Sequence, residues 1–274
     1  MNFSVLMSIY KNETIDNFIT AMDSVLNQTL MPDEIILMRD GPVSEKMQNV
    51  IDDYVKKHAI ITYCPLDENK GLGEALRRGV RKARNDIIAR MDTDDFALPN
   101  RFELQIEYAK AHPDVSVWGG QIEEFIGDIS NIVGKREVPT EHEDICRFMK
   151  KRNSFNHMTV MFRRQDVLDA GNYKELFLVE DYYLWCRMLV KGYRFGNLPE
   201  VVVYARTSED MYQRRGGYKY FKSWKAIEQF KLENGITNLS EYTQTLAMRF
   251  AVQVLMPNRV RGFVLKKFSR KQNS

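Results

Sequence analysis

The chain opens with blocks of two alternating periods. "NFSVLMSIY" is a short apolar run, and "NETIDNFITAMDSVLNQT" after it sets Ile15, Phe18, Met22 and Val25 three or four residues apart. The first pattern predicts a buried strand and the second an amphipathic helix. The pair recurs: "DEIILMRDG" then "SEKMQNVIDDYVKKH", "AIITYC" then "GEALRRGVRKAR", and "DIIARMD" as a fourth strand. Strands apolar on both faces, alternating with helices, predict a parallel sheet covered on both sides with right-handed crossovers. After residue 113 the alternation stops, and "VSVWGGQIEEF", "HMTVMFRR" and "EVVVYA" read as strands between irregular polar stretches. Helical spacing returns in "GGYKYFKSWKAIEQFKLENG" and "LSEYTQTLAMRFAVQVLM". The expected class is α/β, with a mainly parallel mixed sheet and a C-terminal helical extension.

Composition narrows the class of function. Over 274 residues, 44% hydrophobic and 28% charged content is that of a soluble globular protein. A net charge of +3 is too small to mark a nucleic-acid binder, and no nucleic-acid partner is expected. Cys64, Cys146 and Cys186 are odd in number and scattered without metal-ligand spacing, which points to a reducing compartment. No apolar run approaches the roughly 18 residues that span a bilayer. The N-terminus also lacks the cationic start and cleavage site of a signal peptide, so a cytoplasmic location is expected.

Ligands of such sheets bind beyond the carboxyl ends of the strands. Polar clusters fall there: Ser8 and Tyr10, then Arg39 and Asp40, then the acids of "ARMDTDDFALPNR". If the fourth strand runs to Met91, side-chain alternation sends Asp92 and Asp94 to one side. Two hard oxygen ligands suit Mg²⁺ or Mn²⁺, with substrate phosphates completing the shell. Asp95 has a second reading, as a cap for the helix beginning near Pro99. A calcium hand loop starting at Asp92 would meet Phe96, Ala97 and Pro99 at unsuitable positions. "NKGLGEAL" has Leu76 where a dinucleotide loop needs its third glycine, and no GxxxxGK[ST] loop exists. A diphosphate bound here would depend on a metal and scattered basic residues.

The ordered series "SVLMSIYKNE", "MRDG", "ENKGLGEALRRG", "IARMDTDD" and "VEDYYLW" resembles glycosyltransferase family 2. The similarity runs from about residue 3 to 210. It implies a glycosyltransferase-A fold, Rossmann-like, and transfer of sugar from a nucleotide diphosphate with inversion. It further implies a catalytic domain over 1–215, with a nucleotide-binding half 1–112 and an acceptor-binding half 113–215, followed by a helical extension 216–274. Carried onto this chain, the resemblance sets Ser8, Tyr10 and Glu13 at the nucleoside pocket and Asp40 at the base. Asn69, Lys70 and Gly71 fall near the ribose or diphosphate, with Arg90 bracing the acidic cluster. Asp92 falls at the ribose and the metal, Thr93 beside the donor, and Asp94 on the metal. Other readings stay open: Tyr10 as a half-buried aromatic, Asp40 as part of an Asp-Gly turn, Lys70 as a surface cation.

Inverting transfer needs a base for the acceptor hydroxyl, and the resemblance assigns it to Asp181, with Glu180 beside it. The alternative is that both acids cap the helix "YYLWCRMLVKG". Tyr183 stands where the family often has a further Asp. His157 in "SFNHMTVMFRR" matches a segment near the family's active site, and Arg214 and Arg215 in "DMYQRRGGYKY" suit a loop closing on a diphosphate. "QRRGG" lacks the tryptophan of the QxxRW signature of processive relatives, so one addition per acceptor is expected.

The reading is an inverting enzyme dependent on Mn²⁺ or Mg²⁺, adding one sugar from a UDP-sugar to a saccharide or lipid-linked saccharide, in bacterial surface-polysaccharide assembly. The alternatives are a sugar-nucleotide nucleotidyltransferase and a catalytically silent binding protein. The tail "NRVRGFVLKKFSRKQNS" mixes six cations with apolar residues. It reads either as a helix lying on the anionic inner face of the membrane or as a solvated basic terminus.

Overall fold

The computed structural model describes residues 1–208, 216–257 and 261. Its first half follows the predicted alternation: β1 (Phe3–Ile9), α1 (Ile15–Leu26), β2 (Glu34–Arg39), α2 (Glu45–Lys57), β3 (Ile61–Pro65), α3 (Leu72–Lys82) and β4 (Ile87–Asp92). These strands pair in parallel in the order β3-β2-β1-β4. Both faces are covered. On β1, Phe3, Val5, Met7 and Ile9 enter one apolar layer with Phe18 and Met22 of α1. Leu6, on the opposite face, joins Leu76 of α3 and Trp185 in a second layer. Burial on both sides is why these strands read as unbroken apolar runs.

The second half is β5 (Phe96–Ala97), α4 (Arg101–Ala111), β6 (Val115–Phe125), β7 (Ile132–Arg136), α5 (His142–Met149), a 3₁₀ turn His157–Thr159, β8 (Met161–Arg163), α6 (Arg164–Asp169), α7 (Glu180–Val190) and β9 (Arg194–Arg206). The sheet continues from β4 as β8-β6-β9-β5, with β7 on β6. Among the described residues, only the β6–β9 pair of this half is parallel.

Four of these elements fall in stretches that read as irregular: β5, β7, α5 and α6. Their lengths are 2, 5, 8 and 6 residues, too short to establish a period. Strand β9 is longer than "EVVVYA" because it continues through Pro199. Its pairing with β6 slips between Asn197 and Val201, which seats the proline, lacking an N–H, where no ladder bond is needed.

The extension forms α8 (Tyr218–Glu233), α9 (Leu239–Phe250) and a π-turn Ala251–Leu255. Helix α8 drives Tyr220, Trp224 and Ile227 into the same layer as Tyr182 and Trp185 of α7. The Tyr182 and Trp224 rings lie 5.3 Å apart. Asn238 and Glu241 close a reciprocal capping box at the start of α9. The expected membrane-surface helix of the tail lies outside the described residues, apart from Arg261. That side chain is buried and donates to the Gln253 carbonyl at 3.0 Å. Among the described residues no helix is long and apolar enough to cross a membrane.

Candidate active site

At the end of β4 the chain turns through Thr93 and Asp94 into β5. Asp92, Asp94 and Asp95 each offer an oxygen, all within 4.8 Å of one another. Strand alternation does not cause this convergence, as the sequence suggested, because β4 stops at Asp92 and the turn gathers the carboxylates. Nor does Asp95 cap α4, whose N-cap is Asn100. Its Oδ1 accepts from the Arg206 N–H at 2.7 Å, and Arg206 Nε donates to the Asp94 carbonyl at 3.0 Å. A residue at the end of β9, the strand paired with β5, therefore fixes the turn.

The acidic turn is electrostatically unfinished. Burial, then the charges of Asp92 and Glu13, push Asp94 up to about 7. Burial, then Asp94 and Asp92, carry Asp95 well above the usual carboxylate range, and its buried Oδ2 has no hydrogen-bond partner. Three clustered carboxylates, with one buried carboxylate oxygen lacking a hydrogen-bond partner, form a hard oxygen donor set, so these residues fit Mg²⁺ or Mn²⁺.

Arg90, 2% exposed, pairs with Asp92 from beneath. It braces the cluster from within the protein rather than offering a surface to the nucleotide. Its Nε and Nη1 are buried without partners.

The residues expected at the nucleotide gather at the same sheet edge. Ser8 on β1 is register-paired with Asp92. Thr93 Oγ1 donates to Glu13 Oε2 at 2.7 Å, tying the segment after β1 to the acidic turn. Tyr10 is exposed. Asp40 is buried and accepts from the Lys70 and Gly71 N–H groups at 2.7 and 2.9 Å, while Asn69 Nδ2 donates to its carbonyl at 3.1 Å. Asp40 thus anchors the segment 69–71, and each carboxylate oxygen keeps a lone pair for a further donor. Gly41 turns at φ 82°, where an added Cβ would meet the Asn69 backbone nitrogen at 2.5 Å, so this close approach requires glycine. The Lys70 ammonium pairs with Glu68 at the surface. Arg214 and Arg215 lie outside the described residues.

On the other side, Leu178 at φ 61° leads into α7. Glu180 is buried and Asp181 half-buried at its first turn, where the helix dipole favours anions. Asn153 Nδ2 donates to Asp181 Oδ2 at 2.6 Å. Burial raises Asp181 above the usual carboxylate range; the Tyr182 N–H, Asn153 and the charges of Arg90 and Arg136 oppose it. Burial, then Asp181, push Glu180 up to about 7. His157 Nε2 lies 2.9 Å from the Tyr173 hydroxyl. Burial, then Arg90, hold its pKa well below the usual value, so the imidazole is neutral.

The charge of Arg90 reaches the acidic turn, Glu180, Asp181 and His157 alike. Asp92 also acts on Glu180, so the two acidic groups lie within electrostatic reach of each other. A separate hollow of about 630 Å³, lined by residues including Val138, Arg147 and Phe148, contains none of these carboxylates.

Asn153, Tyr173 and Arg206 were not singled out by the sequence. They are single polar residues in irregular segments or at a strand end, with no spacing to mark them. The arrangement sets the carboxylates of Glu180 and Asp181 at the start of α7 on one side and the three carboxylates of the acidic turn on the other.

Comparisons with known proteins bear on this pocket. Residues 4–171 match the family described as "Glycosyl transferase family 2". The chain is 38% identical over 265 residues to the amylovoran biosynthesis glycosyltransferase AmsE of Erwinia amylovora, covering 97% of this chain and 98% of that one. It is 33% identical over 270 residues to the Escherichia coli UDP-Gal:alpha-D-GlcNAc-diphosphoundecaprenol beta-1,3-galactosyltransferase, covering 98% and 97%. Among solved structures, S. aureus TarS residues 1–349 in complex with UDP-GlcNAc superposes with a TM-score of 0.68 at 18% identity, covering 97% of this chain and 76% of that structure. The chain spans 46% of a longer TarS structure. The structural likeness establishes the glycosyltransferase-A fold. The family match over more than half its length and the near full-length relatives establish the rest: this chain belongs to glycosyl transferase family 2 and is a glycosyltransferase.

Proposed function

We propose that the enzyme transfers one sugar, with inversion, from a UDP-sugar to a saccharide or lipid-linked saccharide during assembly of a bacterial surface polysaccharide. The observation that carries this reading is the Asp181 carboxylate, hydrogen-bonded by Asn153 and sharing the field of Arg90 with the acidic turn. An acceptor hydroxyl gives its proton to Asp181 as its oxygen attacks the anomeric carbon, opposite the departing diphosphate. Asp94 and Asp92 would hold Mn²⁺ or Mg²⁺, which would supply charge neutralisation for the leaving UDP. Asp40, through its grip on segment 69–71, shapes the nucleoside end.

The donor and acceptor classes follow relatives by name: the E. coli enzyme uses UDP-Gal and a diphosphoundecaprenol-linked GlcNAc, and TarS holds UDP-GlcNAc. Residues 1–215 form the catalytic unit in this reading, and 216–274 the extension. The test is calorimetric titration of the protein with UDP, GDP and dTDP, with and without Mn²⁺. Selective binding of UDP that needs the metal is expected; equal binding of all three without metal would remove both the donor class and the metal.

The cationic tail 258–274 draws the enzyme to an anionic membrane surface where a lipid-linked acceptor resides. Deleting residues 258–274 should abolish sedimentation with vesicles of anionic phospholipid. Unchanged sedimentation would detach membrane contact from the tail.

A further inference from the structure

We propose that Asn153 is the positioning residue for the Asp181 carboxylate, and that helices α8 and α9 hold it there by fastening the turn 149–153. The inference rests on the reading of Asp181 as the base. Asn153 follows α5 in a segment without regular structure, yet its amide is held at both ends. Oδ1 accepts from the Phe155 N–H at 3.1 Å, while Nδ2 donates to Asp181 Oδ2 at 2.6 Å. A rotated amide would set its oxygen against the carboxylate and lose both bonds. The orientation is therefore dictated, and the donor faces the base.

The turn carrying Asn153 is itself fastened from three sides. The Tyr182 hydroxyl donates to the Met149 carbonyl. Lys231 Nζ of α8 donates to the Lys150 carbonyl at 2.8 Å. Arg249 Nη2 of α9 donates to the Lys151 carbonyl at 2.9 Å. Carbonyls at a helix C-terminus are left over by the helix and are commonly satisfied by water. Here the protein buries a cation for the purpose: Lys231 and Glu228 are both fully buried and paired at 2.8 Å. A buried pair of this kind adds little net stability over apolar residues of the same volume. Its placement against the turn whose Asn153 bonds the base gives it a use.

A carboxylate that receives a hydrogen bond is favoured in its charged form. Glu180 and the Tyr182 N–H on α7, Arg90 on β4, Arg136 on β7 and the Tyr173 hydroxyl also face Asp181. Among the described residues, Asn153 provides its side-chain hydrogen bond.

The experiment follows the Asp181 carboxyl carbon by ¹³C NMR through a pH titration of full-length, aspartate-labelled protein, assigned by its absence in Asp181→Asn. Asn153→Ala and Asn153→Asp should both move the titration to higher pH, the second while keeping the acceptor for the Phe155 N–H. Tyr182→Phe, which keeps the ring packing, should move it in the same direction, and so should the charge-removing pair Glu228→Gln with Lys231→Met. UDP affinity measured with Mn²⁺ should stay unchanged in all of them. Transfer at neutral pH should fall by about ten- to a hundredfold in the Asn153 variants.

An unmoved Asp181 titration in Asn153→Ala overturns the positioning role. Movement in the Asn153 variants but not in the Glu228→Gln with Lys231→Met pair overturns the part given to α8 and α9. Retained transfer in Asp181→Asn would instead remove the base reading, while the NMR result would still judge the contact.

Discussion

Asp181→Asn is expected to leave metal-dependent UDP binding intact and to lower the transfer rate by about 10²- to 10⁴-fold, the usual share of a positioned general base. The substitution keeps the size of the side chain, so the first turn of α7 and the buried Tyr182 and Trp185 behind it have no reason to move. What is lost is the ability to take a proton. Because the contribution is confined to the transition state, kcat and kcat/KM should fall together. In the unmodified enzyme, burial raises Asp181, and only its deprotonated form can act. Activity should therefore fall as pH is lowered through a range above that of an ordinary carboxylate. Full transfer by Asp181→Asn would pass the role to Glu180, the adjacent buried acid held at about 7.

The second large effect is expected at the acidic turn. Asp94→Ala should abolish the part of UDP binding that depends on Mn²⁺, a loss of at least about a hundredfold in affinity at saturating metal. Asp94 is a cleaner test than Asp92, which holds the buried Arg90; removing Asp92 would strand a charge and destabilise the fold. A pH dependence accompanies it. With Asp94 near 7 before the cation binds, protons compete with metal, so metal-dependent UDP binding should strengthen as pH rises through 7. Calorimetry at several pH values measures both, and an Asp94→Ala protein with undiminished metal-dependent binding would move the cation elsewhere.

The standing of this chain as a glycosyltransferase sets aside the nucleotidyltransferase alternative raised by the shared topology.

Much of the first half was legible because its structure is local. Short apolar runs and 3.6-residue helical spacing are each legible within about ten residues, so β1 through β4 and their helices could be placed from the pattern alone. The order of the motifs carried the family reading, and the acids of "MDTDD" raised the expectation of a cation there, because clustered carboxylates repel without one.

Other features rest on contacts made once, between residues far apart. Asp95 looked like a cap for the helix next to it, yet its partner is the backbone of Arg206, 111 residues away. Asp92 and Asp94 were expected to converge through a strand, and a turn does it instead. Asn153 meets Asp181 across 28 residues, and Lys231 reaches the carbonyl of Lys150 across 81. The sequence by itself determined the elements of the first half and the candidate residue types for the chemistry, since both are written in local spacing. Only the tertiary structure decided which partner each charged group meets, because a single contact between distant segments leaves no period to read.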